Sequence, residues 1–176
     1  MIEFKTVSCG ITAADQMVKT ADVELLEAQV VCPGKYIALI AGELSAVRAA
    51  VETAGKSHPE NLIGQFVLGN PDESIFPAIY GTAQPEEVRA LGIMETYDAS
   101  SIIVAADIAA KTAIVQLLEL RIAKGMCGKS YLILTGEVAA CEAAIGAARE
   151  AVKESGMFLD SSVIANPDAK IRQMIL

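Results

Sequence analysis

Shifted against itself by 92 residues, this 176-residue chain meets its own pattern again. Glu3 falls on Glu95, Ser8 on Ser100 and Ile11 on Ile103. Ala13-Ala14-Asp15 falls on Ala105-Ala106-Asp107, Lys19-Thr20-Ala21 on Lys111-Thr112-Ala113, and Leu25-Leu26-Glu27 on Leu117-Leu118-Glu119. The second copy then carries two extra residues, so that Gly34-Lys35 meets Gly128-Lys129 and Gly42-Glu43 meets Gly136-Glu137. Near the ends of the copies, Asn70-Pro71-Asp72 matches Asn166-Pro167-Asp168. Polar residues match as well as apolar ones and their order is kept, which chance similarity between two Ala- and Leu-rich stretches does not explain. The chain is a tandem duplication. Its boundary falls in the turn-rich connector Gly81-Thr82-Ala83-Gln84-Pro85-Glu86, giving domains 1–84 and 85–176.

Each copy reads as the same string of elements. Ile11, Ala14, Val18 and Ala21 stand at helical spacing over residues 8–21, with Asp15 and Lys19 as an i,i+4 pair on another face. From Val23 to Val31 the pattern alternates, Leu26, Ala28 and Val30 one way and Glu27 and Gln29 the other, which predicts a half-buried strand. A turn at Cys32-Pro33-Gly34 leads to a short apolar strand, Tyr36 to Ala41. Glu43 then sits where a helix N-terminus favours negative charge, and an Ala/Val helix runs to about Thr53. A strand is expected around Gln65 to Leu68. After it, Asp72 can cap a short helix containing Ile75 and Phe76. The unit is α+β, with helices on one face of an antiparallel sheet.

Composition removes whole classes of function. Hydrophobic residues make up 53% of the chain and charged ones 20%, which excludes intrinsic disorder. The net charge of −8, no Trp and 5% aromatics argue against a nucleic-acid partner. One histidine, His58, lies in a polar loop stretch, leaving little for a His-based triad or a zinc site. Met1-Ile2-Glu3-Phe4-Lys5 lacks the basic and apolar regions of a signal peptide. The most apolar run, Ile102 to Val115, is interrupted by Asp107 and Lys111, so no membrane span is expected. Cys9, Cys32, Cys127 and Cys141 do not pair closely and read as reduced thiols of a cytosolic chain. A mean hydropathy of +0.43 is high for domains this small. Burial of apolar surface between subunits resolves it.

The segment Ala90-Leu91-Gly92-Ile93-Met94-Glu95, the pattern Ala-Asp-x-x-x-Lys-x-Ala at 14–21 and 106–113, and the Gly-Glu opening the second helix resemble the bacterial microcompartment shell domain. Two copies in one chain resemble the tandem-domain shell proteins. Val31-Cys32-Pro33-Gly34-Lys35 is similar to the loop of the iron–sulfur-bearing members found in propanediol-utilising compartments. The resemblance implies two ferredoxin-like domains per chain and a homotrimer that makes a six-domain disc. It also implies a central opening lined by the loops after each second strand: Val31, Pro33, Gly34 and Lys35 from one copy, Gly125, Met126, Cys127 and Gly128 from the other. It further implies tiling with other shell proteins across edges carrying Lys19 and Lys111, although the Asp15–Lys19 and Asp107–Lys111 spacing fits a solvated helix face equally well. The arginine that such domains usually keep near the Asn-Pro positions is missing at Leu68-Gly69-Asn70 and Ile164-Ala165-Asn166.

One thiolate per chain cannot hold a cluster, and no Cys-x-x-Cys motif is available. On a three-fold axis, one Cys32 becomes three. Three soft thiolates suit a 4Fe–4S cluster shared by three chains, with one iron left to a non-protein ligand. Pro33 fixes the turn, Gly34 lets backbone amides approach, and Lys35 would offset negative charge. Such a protein passes electrons across the shell, with a lumenal or cytosolic redox protein as partner, or serves as a redox-sensitive plug. Spacing alone favours the plainer reading, in which Cys32 ends a strand as a small, weakly polar residue. The second loop, Lys124-Gly125-Met126-Cys127-Gly128-Lys129, is longer and Gly-rich, and points to a gated metabolite pore without a cluster. A free cytosolic ferredoxin-like ligand-binding trimer is the reading from another class. Cys127 reads as a loop residue; Cys9 and Cys141 read as helix packing residues. No catalytic constellation is found: Gly125 to Ser130 ends in Gly-Lys-Ser, but its glycines are too close together and a strand follows where a phosphate loop needs a helix.

Overall fold

The computed structural model describes residues 1–85 and 87–175, so the Glu86 end of the connector lies outside the described residues. The first copy forms β1 (Ile2–Phe4), α1 (Val7–Thr20), β2 (Glu24–Val31), β3 (Lys35–Ala41), α2 (Leu44–Ser57), β4 (Leu62–Gln65) and α3 (Ile75–Tyr80). The second repeats the order as β5 (Ala90–Thr96), α4 (Ala99–Thr112), β6 (Val115–Arg121), β7 (Ser130–Gly136), α5 (Val138–Lys153), β8 (Phe158–Ile164) and α6 (Ala169–Ile175). Both sheets are four-stranded and antiparallel with the same strand order, β2-β3-β1-β4 and β6-β7-β5-β8. Two halves of one sequence pattern therefore make two α+β domains. Among the described residues, no helix is long and apolar enough to cross a membrane.

In the first copy, Ile2, Phe4, Ala38 and Ile40 of the sheet pack against Ala13, Met17, Ala50, Val51 and Ala54 of α1 and α2. Small residues on both helices let them approach the sheet and each other closely. The buried stripe of α1 is Gly10, Ala13, Ala14 and Met17. The expected stripe is off by about one residue: Ile11 is 54% exposed and Val18 42%. Gly10 carries no apolar side chain to count, yet it is the point of nearest approach, since a Cβ there would lie 2.3 Å from the Tyr36 ring.

Three expectations change at the sheet. The last strand of the first copy is Leu62–Gln65, earlier than 65–68, because its partner β1 has three residues. Phe66 N still reaches the Met1 carbonyl at 3.0 Å, but the chain beyond it has passed the start of β1. Helix α2 runs on to Ser57, since Ala54 and Gly55 continue its buried stripe. In β2 a bulge between Leu25 and Glu27 makes Leu26 an extra residue, so Leu25, Ala28 and Val30 share the face of Ile40, Ala38 and Tyr36. At the edge strand β2 that face is open, Leu25 being 41% and Val30 55% exposed, while Ala38 and Ile40 of β3 lie buried under the helices.

The chain forms two compact units, Met1–Gly69 and Asn70–Leu176. Residues 70–80 belong by repeat to the first copy but pack with the second unit, where α3 lies against β6 and touches α4. Asp72 organises the entry to α3 from two residues before its N-cap, accepting from Ser74 N at 3.0 Å and Ser74 Oγ at 2.6 Å.

Candidate functional site

The loop after β2 is a three-residue hairpin. Gly34 N donates to the Val31 carbonyl at 2.8 Å, and Gly34 takes φ +106, a conformation glycine adopts without the strain of a Cβ. The Cys32–Pro33 peptide is cis. Val31 is buried at 3% exposure, Cys32 is half-buried, and Pro33 and Gly34 are exposed at the tip. Lys35 points back into its own sheet. Its Nζ lies 2.6 Å from Oε1 of Glu3, a carboxylate buried on the adjacent β1 strand. Glu3 faces Ile37 across the ladder, so Lys35, two residues earlier on β3, is its diagonal neighbour. The positive charge expected to offset a cluster is thus already engaged by Glu3.

The loop between β6 and β7 is held at its neck, where Ala123 N donates to Ser130 Oγ at 2.9 Å. Inside it Ala123, Gly125, Cys127 and Gly128 all have positive φ, from 52° to 90°. Lys129 N closes a turn on the Met126 carbonyl at 3.1 Å. Gly125 and Cys127 are exposed, Met126 is half-buried and Gly128 is buried. At the foot of the loop, Arg121 lies over the Tyr131 ring at 5.4 Å and pairs with Glu119 at 2.6 Å. Burial, then the hydrogen bond to Glu119, push the Tyr131 hydroxyl up to about 12. A hollow of about 380 Å³ opens here between Tyr80 at the end of α3 and Glu119, Arg121 and Lys124.

Cys9 sits on α1 against the core, and Cys141 is fully buried on α5, where desolvation raises its thiol above the ordinary value. Among the described residues, no three His, Cys, Asp or Glu side chains of one chain gather as a metal site. By donor chemistry, Cys32 fits an iron–sulfur group as one soft thiolate at an open hairpin tip. A complete ligand set needs the same tip from further chains.

The two predicted edge lysines differ. Lys19 pairs with Asp15 at 2.6 Å, both largely exposed. Lys111 is more enclosed: it pairs with Asp107 at 2.7 Å and donates to the Asn70 carbonyl at 2.7 Å. Asp107, 5% exposed, also accepts from Asp72 N at 2.8 Å. This knot of Asn70, Asp72, Asp107 and Lys111 did not emerge from sequence reasoning. Its signal was present in the matched Asn-Pro-Asp triplets and the buried member of the Asp-x-x-x-Lys pairs. No arginine stands at 164–166, and Asn166-Pro167 is reached instead from α6: Arg172 Nε donates to the Pro167 carbonyl at 2.9 Å, and Nη2 to Asn166 Oδ1 at 3.3 Å.

Two hairpin loops at equivalent places on two copies of one sheet set the frame for comparison with known proteins. Residues 1–71 and 90–167 match the BMC domain. The chain belongs to the BMC-domain family. Along its whole length the tandem BMC-domain chain is 34% identical to the bacterial microcompartment shell protein PduT of Citrobacter freundii, covering 99% of this chain and 96% of that one. It is 33% identical to the shell protein EutK of Salmonella typhimurium over 48% of this chain and 52% of that one. A crystal structure of a microcompartment protein from Desulfitobacterium hafniense superposes with a TM-score of 0.92 at 41% identity, covering 98% of this chain and 96% of that one. The resemblance to tandem shell-domain proteins and the α+β fold read from the repeat and its motifs are borne out.

Proposed function

We propose that this microcompartment shell protein assembles as a homotrimer of six BMC domains, and that Cys32 of three chains together holds a 4Fe–4S cluster at the central opening. The observation that carries the reading is the hairpin 32–34, with one soft thiolate between a buried strand end and an exposed Pro-Gly tip, on a full-length shell-protein frame. Its place is the shell of a bacterial microcompartment in the cytoplasm, among other shell proteins. Cys32 is the protein ligand, and Gly34 keeps the tip free of side chain, since a Cβ added there would meet nothing within 4 Å. A bound cluster would supply one-electron chemistry. The role is structural and electron-conducting rather than enzymatic.

The test is anaerobic purification with iron and sulfide assays and electron paramagnetic resonance, beside Cys32→Ser. About four iron and four sulfide per three chains are expected in the wild type, and near none in the variant. Equal iron in both, or none in either, removes the cluster and leaves the shell role. A gated metabolite pore is the second reading. The loop 122–129 favours it, because positive φ at two non-glycine residues, Ala123 and Cys127, marks a backbone held away from its ordinary minima.

A further inference from the structure

The end of β6 and the start of β7 differ from their first-copy counterparts in one chemical direction. Arg121 stands where the first copy has Gln29, Tyr131 stands where it has Ile37, and Lys124 lies in the longer second loop. These changes place two cations and a phenol at one end of one sheet, in a chain whose net charge is −8. Arg121 and Lys124 line the hollow of about 380 Å³, together with Glu119 and with Tyr80 at the end of α3. That volume falls among small-molecule sites, which run from roughly 300 to 1,000 Å³. The apolar lining is fixed in the core: Ala78, Leu120 and Ile122 are each 1% exposed. Arg121 is held ready beside it. It faces Tyr131 across the ladder, its guanidinium lies 5.4 Å from that ring, and Nη2 donates to Glu119 Oε1 at 2.6 Å. Tyr131 and Glu119 thereby fix the plane of a fork that has five donors. The way in is open. The Arg121 side chain is 49% exposed, and a Cβ at Gly81, which ends α3, would meet nothing within 4 Å.

The geometry points to a binding site in this hollow for a small organic anion that also carries hydroxyl groups. Its carboxylate or phosphate meets the Arg121 fork and the Lys124 ammonium, a pairing stronger than that between neutral groups. Its hydroxyls donate to the Glu119 carboxylate, which only accepts. Its carbon skeleton lies on Leu120 and Ile122. Two cations against one carboxylate leave positive charge in excess, which selects an anion. A bare inorganic anion fits less well, because it fills little of the volume, has no use for the apolar lining and offers Glu119 few donors. The hollow lies inside one compact unit of one chain. The site therefore goes beyond the cluster reading and needs neither Cys32 nor the trimer.

The test is isothermal titration calorimetry of the full-length chain at physiological ionic strength, with glucose 6-phosphate, glycerate and inorganic phosphate as probes. Saturable binding of one or both organic anions is expected, tighter than that of inorganic phosphate, and the one that binds better assigns the anionic group. Arg121→Gln should weaken it roughly tenfold or more. Arg121→Lys keeps the charge but loses the fork, and should fall between Arg121→Gln and the wild type. Lys153→Gln, on α5 outside the hollow, and Cys32→Ser should both bind as the wild type does. Matching thermal midpoints keep a loss of binding distinct from a loss of fold. No saturation with either organic anion overturns the site, and so does inorganic phosphate binding as tightly or Arg121→Gln binding unchanged. Equal weakening by Lys153→Gln would assign the effect to diffuse charge, and loss in Cys32→Ser would move the ligand to the first loop; either overturns the hollow as its seat. None of these outcomes touches the iron and sulfide assay, so the cluster reading stands or falls separately.

Discussion

Gly10 and Tyr36 show how the two copies keep one fold with different side chains. Gly10 of α1 lies under the Tyr36 ring, where a Cβ would come 2.3–2.4 Å from ring and Cβ atoms. In the second copy the matching residues are Ile102 and Ser130, both fully buried. Volume has moved from strand to helix across one contact, and the packing stays full. Gly10→Ala gains roughly 1 kcal/mol of helix propensity but overpacks a near, stiff part of Tyr36, a cost of about 1–3 kcal/mol. A net loss of about 1 kcal/mol is expected in urea unfolding. Gly10→Ile with Tyr36→Ser, copying the second half, should be more stable than Gly10→Ile alone; equal stability would show that the two sites are not coupled. A glycine has no side chain for a periodicity argument to weigh, so this contact was legible only as a difference between aligned copies.

Helix α3 is six residues long and cannot stand by itself, so what precedes it decides where it lies. Asp72 is held below its ordinary value of 3.8, first by the Ser74 hydroxyl, then by the Ser74 N–H; burial opposes them, and Lys111 adds the least. A carboxylate lowered on folding stabilises the fold above its unfolded value, and that contribution is lost as pH falls through the folded one. The docking of α3 should therefore loosen as pH drops below about 4. Urea midpoints at pH 6 and pH 3 would show it, and Asp72→Asn should flatten the difference. An unchanged difference in the variant would assign the acid sensitivity elsewhere. The Asp-Ser turn signal was readable in advance. That α3 would settle on the other copy was not, because nothing local in 70–80 names its partner strand.

At the scale of the molecule, the repeat boundary and the packing boundary differ: the compact units meet at Gly69–Asn70, whereas the duplication turns over in the polar connector near 81–86. A fragment 70–176 should accordingly outlast a fragment 90–176, which lacks α3 and bares Leu117, Leu120 and Ile122. Restoring Ile75 to its buried site alone supplies roughly 1.5–3 kcal/mol. Equal thermal midpoints by circular dichroism would mean that α3 contributes nothing to the second unit. The amino-acid order alone determined the duplication, the strand and helix types, the α+β class and the two hairpin loops, because all of these follow from spacing between near neighbours. Tertiary structure alone decided which apolar faces are covered, that Lys35 turns inward to Glu3, and that Lys111 is tied down while Lys19 is free of such ties to Asn-Pro-Asp. Those outcomes depend on segments far apart in the chain meeting in space, and alternation along a strand says which side chains share a face but not what will lie on it.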